Sequence, residues 1–196
     1  MMPNPNYKNH VLPLIDQNWT LFLDRDGVIN EERIGDYIKN PEDFRFIAGS
    51  LQALEILAPY FKRIIIVSNQ KGVGKGVMSQ ADLDAINEKM LRQIKVSGGR
   101  IDAAYYGTAI DPTDANQKPQ PGLALQAQHD FPDIVFAKSI MVGNMAGDMQ
   151  FGRNIGAYTV YIPTRSDGIP QPKQVDSTYK DLLSFALVIR QQAQAT

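Results

Sequence analysis

Apolar residues come along this chain in two patterns. Short unbroken runs, Leu21-Phe22-Leu23, Ile64-Ile65-Ile66-Val67, Ile140-Met141-Val142 and Tyr158 to Ile162, are bounded by Gly, Asn, Asp or Ser. Such runs read as strands buried on both faces, and Ile101 to Tyr106 is a further strand candidate. Between them apolar residues recur at helical spacing: Leu51, Leu54 and Leu57, then Leu83, Ile86, Met90, Leu91 and Ile94, a buried stripe rather than a partner-binding face. Ser50 is placed to cap the first of these helices, which Pro59 helps to end, and Ser79 with Asp82 forms a capping box for the second. Shorter helices follow Pro121-Gly122 through about Gln128, and Asp148 through Gly156, with a last one over about 179–191.

Strands alternating with helices predict βαβ units with right-handed crossovers. The fold class is therefore α/β, a Rossmann-like three-layer α/β/α sandwich with a mostly parallel sheet. Residues 1–18 are rich in Pro and Asn and read as an irregular arm, and 19–196 as one domain without internal repeats. Residues 27–48 are a polar excursion too long for a simple connection, which predicts a flap or binding loop. Glu31, Glu32, Arg33, Asp36 and Tyr37 there fit a solvated flap and substrate contacts equally well.

Composition narrows the chemistry. Twenty Lys and Arg against 21 Asp and Glu leave no global field for nucleic acid or an anionic membrane. The absence of Cys removes disulfides, thiolate zinc sites and a Cys nucleophile, and two His, at 10 and 129, offer little for a His-based metal site. His129, before Pro132, carries no chemical expectation, and Trp19 is assigned to packing. No run approaches a membrane span and no apolar signal core opens the chain, so a cytoplasmic protein is expected.

The polar residues that end the strands carry the functional argument. Asp24 and Asp26 follow the first strand two positions apart, so they share a face with Cα atoms roughly 6.5 Å apart. Two carboxylates at that distance repel by about 2–3 kcal/mol at an effective dielectric near 20. A divalent cation, or protonation of one acid, removes the conflict. Ser68-Asn69-Gln70 ends the second strand and Asn144 to Asp148 follows the fourth. Ligands in such sheets bind beyond the carboxyl ends of the strands, so three strands deliver acids, a hydroxyl and amides to one rim. Asn144 and Asp148 also fit a simple turn and cap. The loop Lys71-Gly-Val-Gly-Lys75-Gly76 matches no phosphate-loop spacing and reads as a flexible Gly turn whose lysines could meet an anion. An acid nucleophile, a second acid, a cation site and phosphate-binding hydroxyl and ammonium groups together suit phosphoryl transfer.

Four segments, Phe22-Leu-Asp-Arg-Asp-Gly-Val28, Ser68-Asn-Gln70, Lys118-Pro119 and Val142-Gly-Asn-Met-Ala-Gly-Asp148, resemble in order the four motifs of the haloacid dehalogenase superfamily. Within it, Asp24-Arg-Asp-Gly27, Lys118-Pro-Gln-Pro-Gly122 and Asp148-Met149 are similar to the heptose bisphosphate phosphatase and histidinol-phosphate phosphatase group. The resemblance implies a fold without a large cap domain and hydrolysis of a phosphomonoester through an aspartyl-phosphate. It implies Asp24 as nucleophile and Mg²⁺ ligand, and Asp26 as general acid/base that lends its main-chain carbonyl to the metal. It further implies Ser68 and Lys118 as phosphoryl holders, Asn69 as loop organiser, and Asn144 and Asp148 in the metal shell. Gln70, Lys71, Lys75, Arg33 and Gln117 are the remaining candidates for substrate contact. The implied substrate is a small phosphorylated sugar, foremost D-glycero-D-manno-heptose 1,7-bisphosphate losing its 7-phosphate. That substrate belongs to lipopolysaccharide precursor synthesis. No nucleic-acid or membrane partner and a monomer or weak homodimer are expected.

Three departures separate this chain from that group. Residues 107–117 hold no Cys or His where the group has a zinc-binding loop, so no zinc is expected. Gln117 stands where the group has Arg, with the loss of a bidentate donor for a second anion. Asn144 replaces the first acid of the fourth motif, which lowers the expected affinity for Mg²⁺. Histidinol phosphate, a polynucleotide 3′-phosphate, and a catalytically weak sugar-phosphate binder are the alternative readings.

Overall fold

Four residues, Thr20–Leu23, form the hub of the sheet as β1. In the computed structural model, which describes residues 11–195, β1 pairs in parallel with β2 (Arg63–Asn69) on one side and β4 (Ser139–Gly143) on the other. β3 (Ala103–Gly107) lies beyond β2, and β5 (Tyr158–Tyr161) and β6 (Ser177–Thr178) lie beyond β4. Every pair is parallel, in the order β3-β2-β1-β4-β5-β6. Residues 1–10 of the expected arm, with His10, lie outside the described residues.

The two faces of the sheet are separated by the alternation of side chains along each strand. Leu21, Leu23, Ile64, Ile66, Ile140 and Val142 pack in one core cluster with α1 (Ser50–Leu57), α3 (Gln80–Val96) and α6 (Leu182–Gln194). Phe22, Ile65, Val67 and Met141 pack on the other face with α4 (Gly122–Asp130) and α5 (Ala146–Ile155). Burying a Leu or Phe side chain contributes about 1.5–3 kcal/mol, and Leu21, Phe22 and Leu23, all fully buried, carry that gain up to the polar break at Asp24. Truncating Phe22, which meets the Phe151 ring edge-on at 6.4 Å, would cost roughly 3–5 kcal/mol. Trp19 joins the first cluster. Among the described residues no helix is long and apolar enough to cross a membrane.

Several local expectations are corrected. Gly49, at φ 84°, rather than Ser50 precedes α1, and the Ser50 hydroxyl is buried inside the first turn without a partner. The predicted Gly turn at 71–76 contains one helical turn, α2 (Lys71–Gly74). Its glycines permit close approach: a Cβ on Gly74 would lie 2.1 Å from the Thr108 carbonyl oxygen. The last helix starts at Leu182, where the Asp181 side chain accepts from the Ser184 N–H at 2.7 Å. The two-residue β6 is too short to show a periodicity. The Ser79–Asp82 capping box is present, with N–H bonds of 3.1 and 2.8 Å.

Candidate active site

The sheet order reverses between β1 and β4, the position at which open parallel sheets form a crevice for ligands. A cleft of about 390 Å³ opens there. Its floor is built from Asp24 and Asp26 after β1, Ser68 to Lys71 at the end of β2, Lys118, and Asn144 and Asp148 after β4. Its wall is the excursion that follows β1, through Glu32, Arg33, Asp36 and Tyr37. Glu32 and Asp36 therefore line the cleft, while Glu31 is exposed and does not.

Lys118 lies between two carboxylates. Its Nζ is 2.9 Å from Asp24 Oδ1 and 2.6 Å from Asp148 Oδ1, and all three residues are buried. The second Asp148 oxygen accepts from the main-chain N–H groups of Asn144 and Met145, at 3.1 and 3.0 Å. Asp148 thus stands in the first turn of α5 rather than preceding it as a cap. Asp148 thereby anchors Lys118, with each of its oxygens accepting at least one hydrogen bond within the protein. Asn69 clamps the same lysine through its backbone: Lys118 N–H donates to Asn69 Oδ1 at 2.9 Å, and Asn69 Nδ2 donates to the Lys118 carbonyl at 3.0 Å. The Lys118–Pro119 peptide is cis.

Burial pushes the Asp24 carboxyl up to about 7, against the pull of the Lys118 charge and with Asp148 and Asp26 adding to the rise. Burial alone would lower Lys118, but Asp148 and Asp24 outweigh it and hold the ammonium above its ordinary value.

Asp26 is held differently. One oxygen accepts from Asn30 Nδ2 at 2.8 Å and from Arg25 at 3.1 Å, the other from Gln70 Nε2 at 2.7 Å and Arg25 at 3.0 Å. Burial by itself would raise Asp26, but the Arg25 charge and the hydrogen bonds from Asn30 and Gln70 overcome it and keep its carboxyl below the usual range. Gln70 also donates to Ser68 Oγ at 3.1 Å, tying the β2 end to the second acid. The conflict between two neighbouring acids is thus relieved by opposite shifts, Asp24 upward and Asp26 downward.

Asn144 is 1% exposed. Its Nδ2 donates to Thr164 Oγ1 at 2.9 Å and Glu32 Oε2 at 3.3 Å, while its Oδ1 is buried without a partner. Gly27, at φ 81°, makes room for this amide: a Cβ there would lie 2.0 Å from Asn144 Nδ2. Among the described residues no three His, Cys, Asp or Glu side chains group as a metal cage. The oxygens gathered here are a carboxylate and an amide carbonyl, a hard donor set that suits Mg²⁺.

Two expected substrate contacts are not brought to the cleft. Lys75 follows α2 and stands 5.4 Å over the Tyr37 ring. Gln117 is fully buried, with its Nε2 beside Gly107 and neither amide atom hydrogen-bonded. The structure adds residues that the sequence reading did not single out. Arg25 and Asn30 hold Asp26; an Arg between two acids in a buried strand end was a usable signal. Thr164 and Arg165 reach the site from the loop after β5 and left none.

Comparison with known proteins places this geometry. A family model described as Polynucleotide kinase 3 phosphatase matches residues 20–191. The chain is 33% identical over 177 residues to a D-glycero-alpha-D-manno-heptose-1,7-bisphosphate 7-phosphatase of Mycobacterium bovis, covering 87% of this chain and 91% of that one. It is 32% identical over 143 residues to a D-glycero-beta-D-manno-heptose-1,7-bisphosphate 7-phosphatase of Helicobacter pylori, covering 72% and 80%. Among solved structures, the D,D-heptose 1,7-bisphosphate phosphatase of B. bronchiseptica, complexed with magnesium and phosphate, superposes with a TM-score of 0.78 at 27% identity, covering 91% of this chain and 99% of that one. The chain belongs to the polynucleotide kinase 3 phosphatase family, within the haloacid dehalogenase superfamily.

Proposed function

We propose that this protein is a Mg²⁺-dependent phosphatase that removes the 7-phosphate of D-glycero-D-manno-heptose 1,7-bisphosphate through an aspartyl-phosphate on Asp24. The observation that carries the reading is Asp24 itself: a buried carboxylate beside Lys118, at the sheet's switch point, with a second acid two residues on. The two relatives at 33% and 32% identity are named for that reaction and support the substrate, one on the alpha and one on the beta anomer.

In the first half-reaction an Asp24 oxygen attacks phosphorus, the ester P–O bond breaks, and the leaving alkoxide takes a proton from Asp26. Arg25 keeps Asp26 ionised in the free enzyme; a phosphoryl dianion beside it adds like charge and raises its affinity for the proton it must donate. In the second half-reaction Asp26 takes a proton from water, whose oxygen attacks phosphorus and frees Asp24 and inorganic phosphate. Lys118 offsets charge on the phosphoryl oxygens, and Ser68 donates its hydroxyl hydrogen to one of them. Bound through Asp24, the Asn144 amide oxygen and the Asp26 main-chain carbonyl, Mg²⁺ would supply charge neutralisation between the two anions. Lys71, and Arg33 where it is shared with Asp43, are the cations at the mouth for the second phosphate.

The family description favours a second reading, a polynucleotide 3′-phosphatase. A nucleic-acid groove needs a basic track, whereas Glu32 and Asp36 line this mouth and Arg33 is paired with Asp43 at 2.6 Å. Phosphate release from heptose bisphosphates of both anomers, histidinol phosphate and a 3′-phosphorylated oligonucleotide, with Mg²⁺ and with chelator, separates the readings. Turnover of a heptose bisphosphate, absent in Asp24→Asn, is expected. Turnover of the oligonucleotide alone would replace the sugar reading, and metal binding without any turnover would make the protein a binder.

A further inference from the structure

The acid that the fourth motif lacks at Asn144 is matched by another one from across the cleft. Glu32 enters from the excursion after β1 and accepts from Asn144 Nδ2 at 3.3 Å, with Thr164 Oγ1 as the second acceptor at 2.9 Å. With both amide hydrogens taken on that side, the buried and unpartnered Oδ1 is left as the end available to a cation. The other Glu32 oxygen is bound by Arg165, whose Nε and Nη2 in turn grip Asp167 at 2.7 and 2.6 Å. Glu32, Arg165 and Asp167 together carry one net negative charge, the charge missing at residue 144.

We propose that Glu32 is a positioning residue for the metal, supplying through the Asn144 amide the carboxylate that position 144 lacks; this rests on the reading of the site as one for Mg²⁺. Two effects follow from one hydrogen bond. It fixes the amide orientation, so that the carbonyl oxygen and not the NH₂ group is the end left without a protein partner. It also places negative charge behind the amide, raising the electron density on Oδ1, as carboxylates behind metal-bound imidazoles do. Arg165 holds Glu32 in the orientation that keeps its second oxygen on Asn144.

The test is Mg²⁺ affinity, measured by calorimetric titration and by the Mg²⁺-dependent shift in Tm, on wild type, Glu32→Gln, Asn144→Asp, the double variant and Asp24→Asn. Loss of outer partners commonly weakens metal binding by about 10–100-fold, and Glu32→Gln is expected to fall in that range while its metal-free Tm shows it folded. In the double variant the carboxylate is moved from 32 to 144 and affinity should return to the wild-type level. Glu32→Gln binding Mg²⁺ as tightly as wild type, or a double variant as weak as Glu32→Gln alone, overturns the proposal. Failure of wild type to bind, or undiminished binding in Asp24→Asn, instead overturns the metal reading beneath it and the proposal with it.

Discussion

Arg25 and Asp26 are neighbours in the chain and partners in space: one guanidinium nitrogen of Arg25 lies 3.1 and 3.0 Å from the two Asp26 oxygens. Successive side chains on a regular strand point to opposite faces, so the pairing is possible only because the strand has ended at Leu23. Arg25 is 1% exposed, and the same nitrogen donates to Gln70 Oε1 at 3.0 Å. Its cost of burial is offset by the acid that it orients. In Arg25→Met that acid keeps Asn30 and Gln70 but loses its counter-charge. Asp26 is part-buried, so the loss should fall below the cost of breaking a fully buried pair, about 3–5 kcal/mol, and still be measurable as a lower denaturation midpoint. Misplacement of a reacting group by an ångström can cost about 10²-fold, and kcat should fall accordingly. In the proposed mechanism Asp26 protonates the leaving oxygen, so the loss should be larger on an alkyl phosphate than on p-nitrophenyl phosphate, whose leaving group needs no proton. Equal losses on both would separate Arg25 from the proton transfer.

Asp24→Asn should abolish turnover and yet stabilise the metal-free protein. Burial raises Asp24 to about 7 in the fold, while the unfolded chain releases that proton near the ordinary Asp value, about 3.9. Between those values the folded state binds more protons, so stability falls as pH rises, and the loss is complete above about pH 7. Metal-free wild type should lose roughly 2–4 kcal/mol across this window by such linkage. The variant should lose less over the window, retaining only the smaller fall from Glu32, whose carboxyl burial also raises, and should be more stable at pH 8 in urea unfolding. Saturating Mg²⁺ should restore wild type and leave the variant unchanged. A wild type whose metal-free stability rises over the same window would contradict the assignment.

The sheet was legible because its strands are buried on both faces and therefore written as unbroken apolar runs, as at Ile64 to Val67. The polar residues after those runs were legible for the same reason: Asp24, Ser68 and Asn144 interrupt apolar strands where no packing demand explains them. What escaped depends on distance through space. Glu32 and Arg165 are 133 positions apart, and nothing in either segment announces the pair. Gln117 was expected at the substrate because the resembled group has Arg there, but with an amide in its place the side chain is fully buried beside Gly107. The one-turn helix at Lys71 is set by the close approach of Gly72 to Tyr37 and of Gly74 to Thr108, contacts that no local pattern contains.

Asn69 holds Lys118 by a reciprocal pair of hydrogen bonds to its main chain, at 2.9 and 3.0 Å. Asn69→Ala leaves both main-chain groups without those partners, at about 1–3 kcal/mol for each group that stays buried. The lysine keeps its carboxylate partners, so folding should survive with a lowered Tm. Its freedom to drift from the phosphoryl position should appear as a raised KM for the phosphorylated substrate. Asn69→Asp restores one acceptor but no donor, and is expected to recover only part of the loss.

Gly27 and Gly156 share a left-handed backbone, at φ 81° and 76°, but not the same surroundings. Around Gly156 nothing lies within 4 Å of an added Cβ, so Gly156→Ala bears only the left-handed strain, about 1–2 kcal/mol. A Cβ on Gly27 would meet Asn144 Nδ2 at 2.0 Å and Thr164 Oγ1 at 3.0 Å. Relief requires the Asn144 amide to leave the position in which its Nδ2 is held by Thr164 and Glu32. Gly27→Ala should therefore lose more stability than Gly156→Ala in parallel melts and should also bind Mg²⁺ more weakly, an effect that Gly156→Ala should not show. Equal melts with unchanged Mg²⁺ affinity in Gly27→Ala would mean that the amide has another resting place, and that its fixed orientation is not what the cation requires.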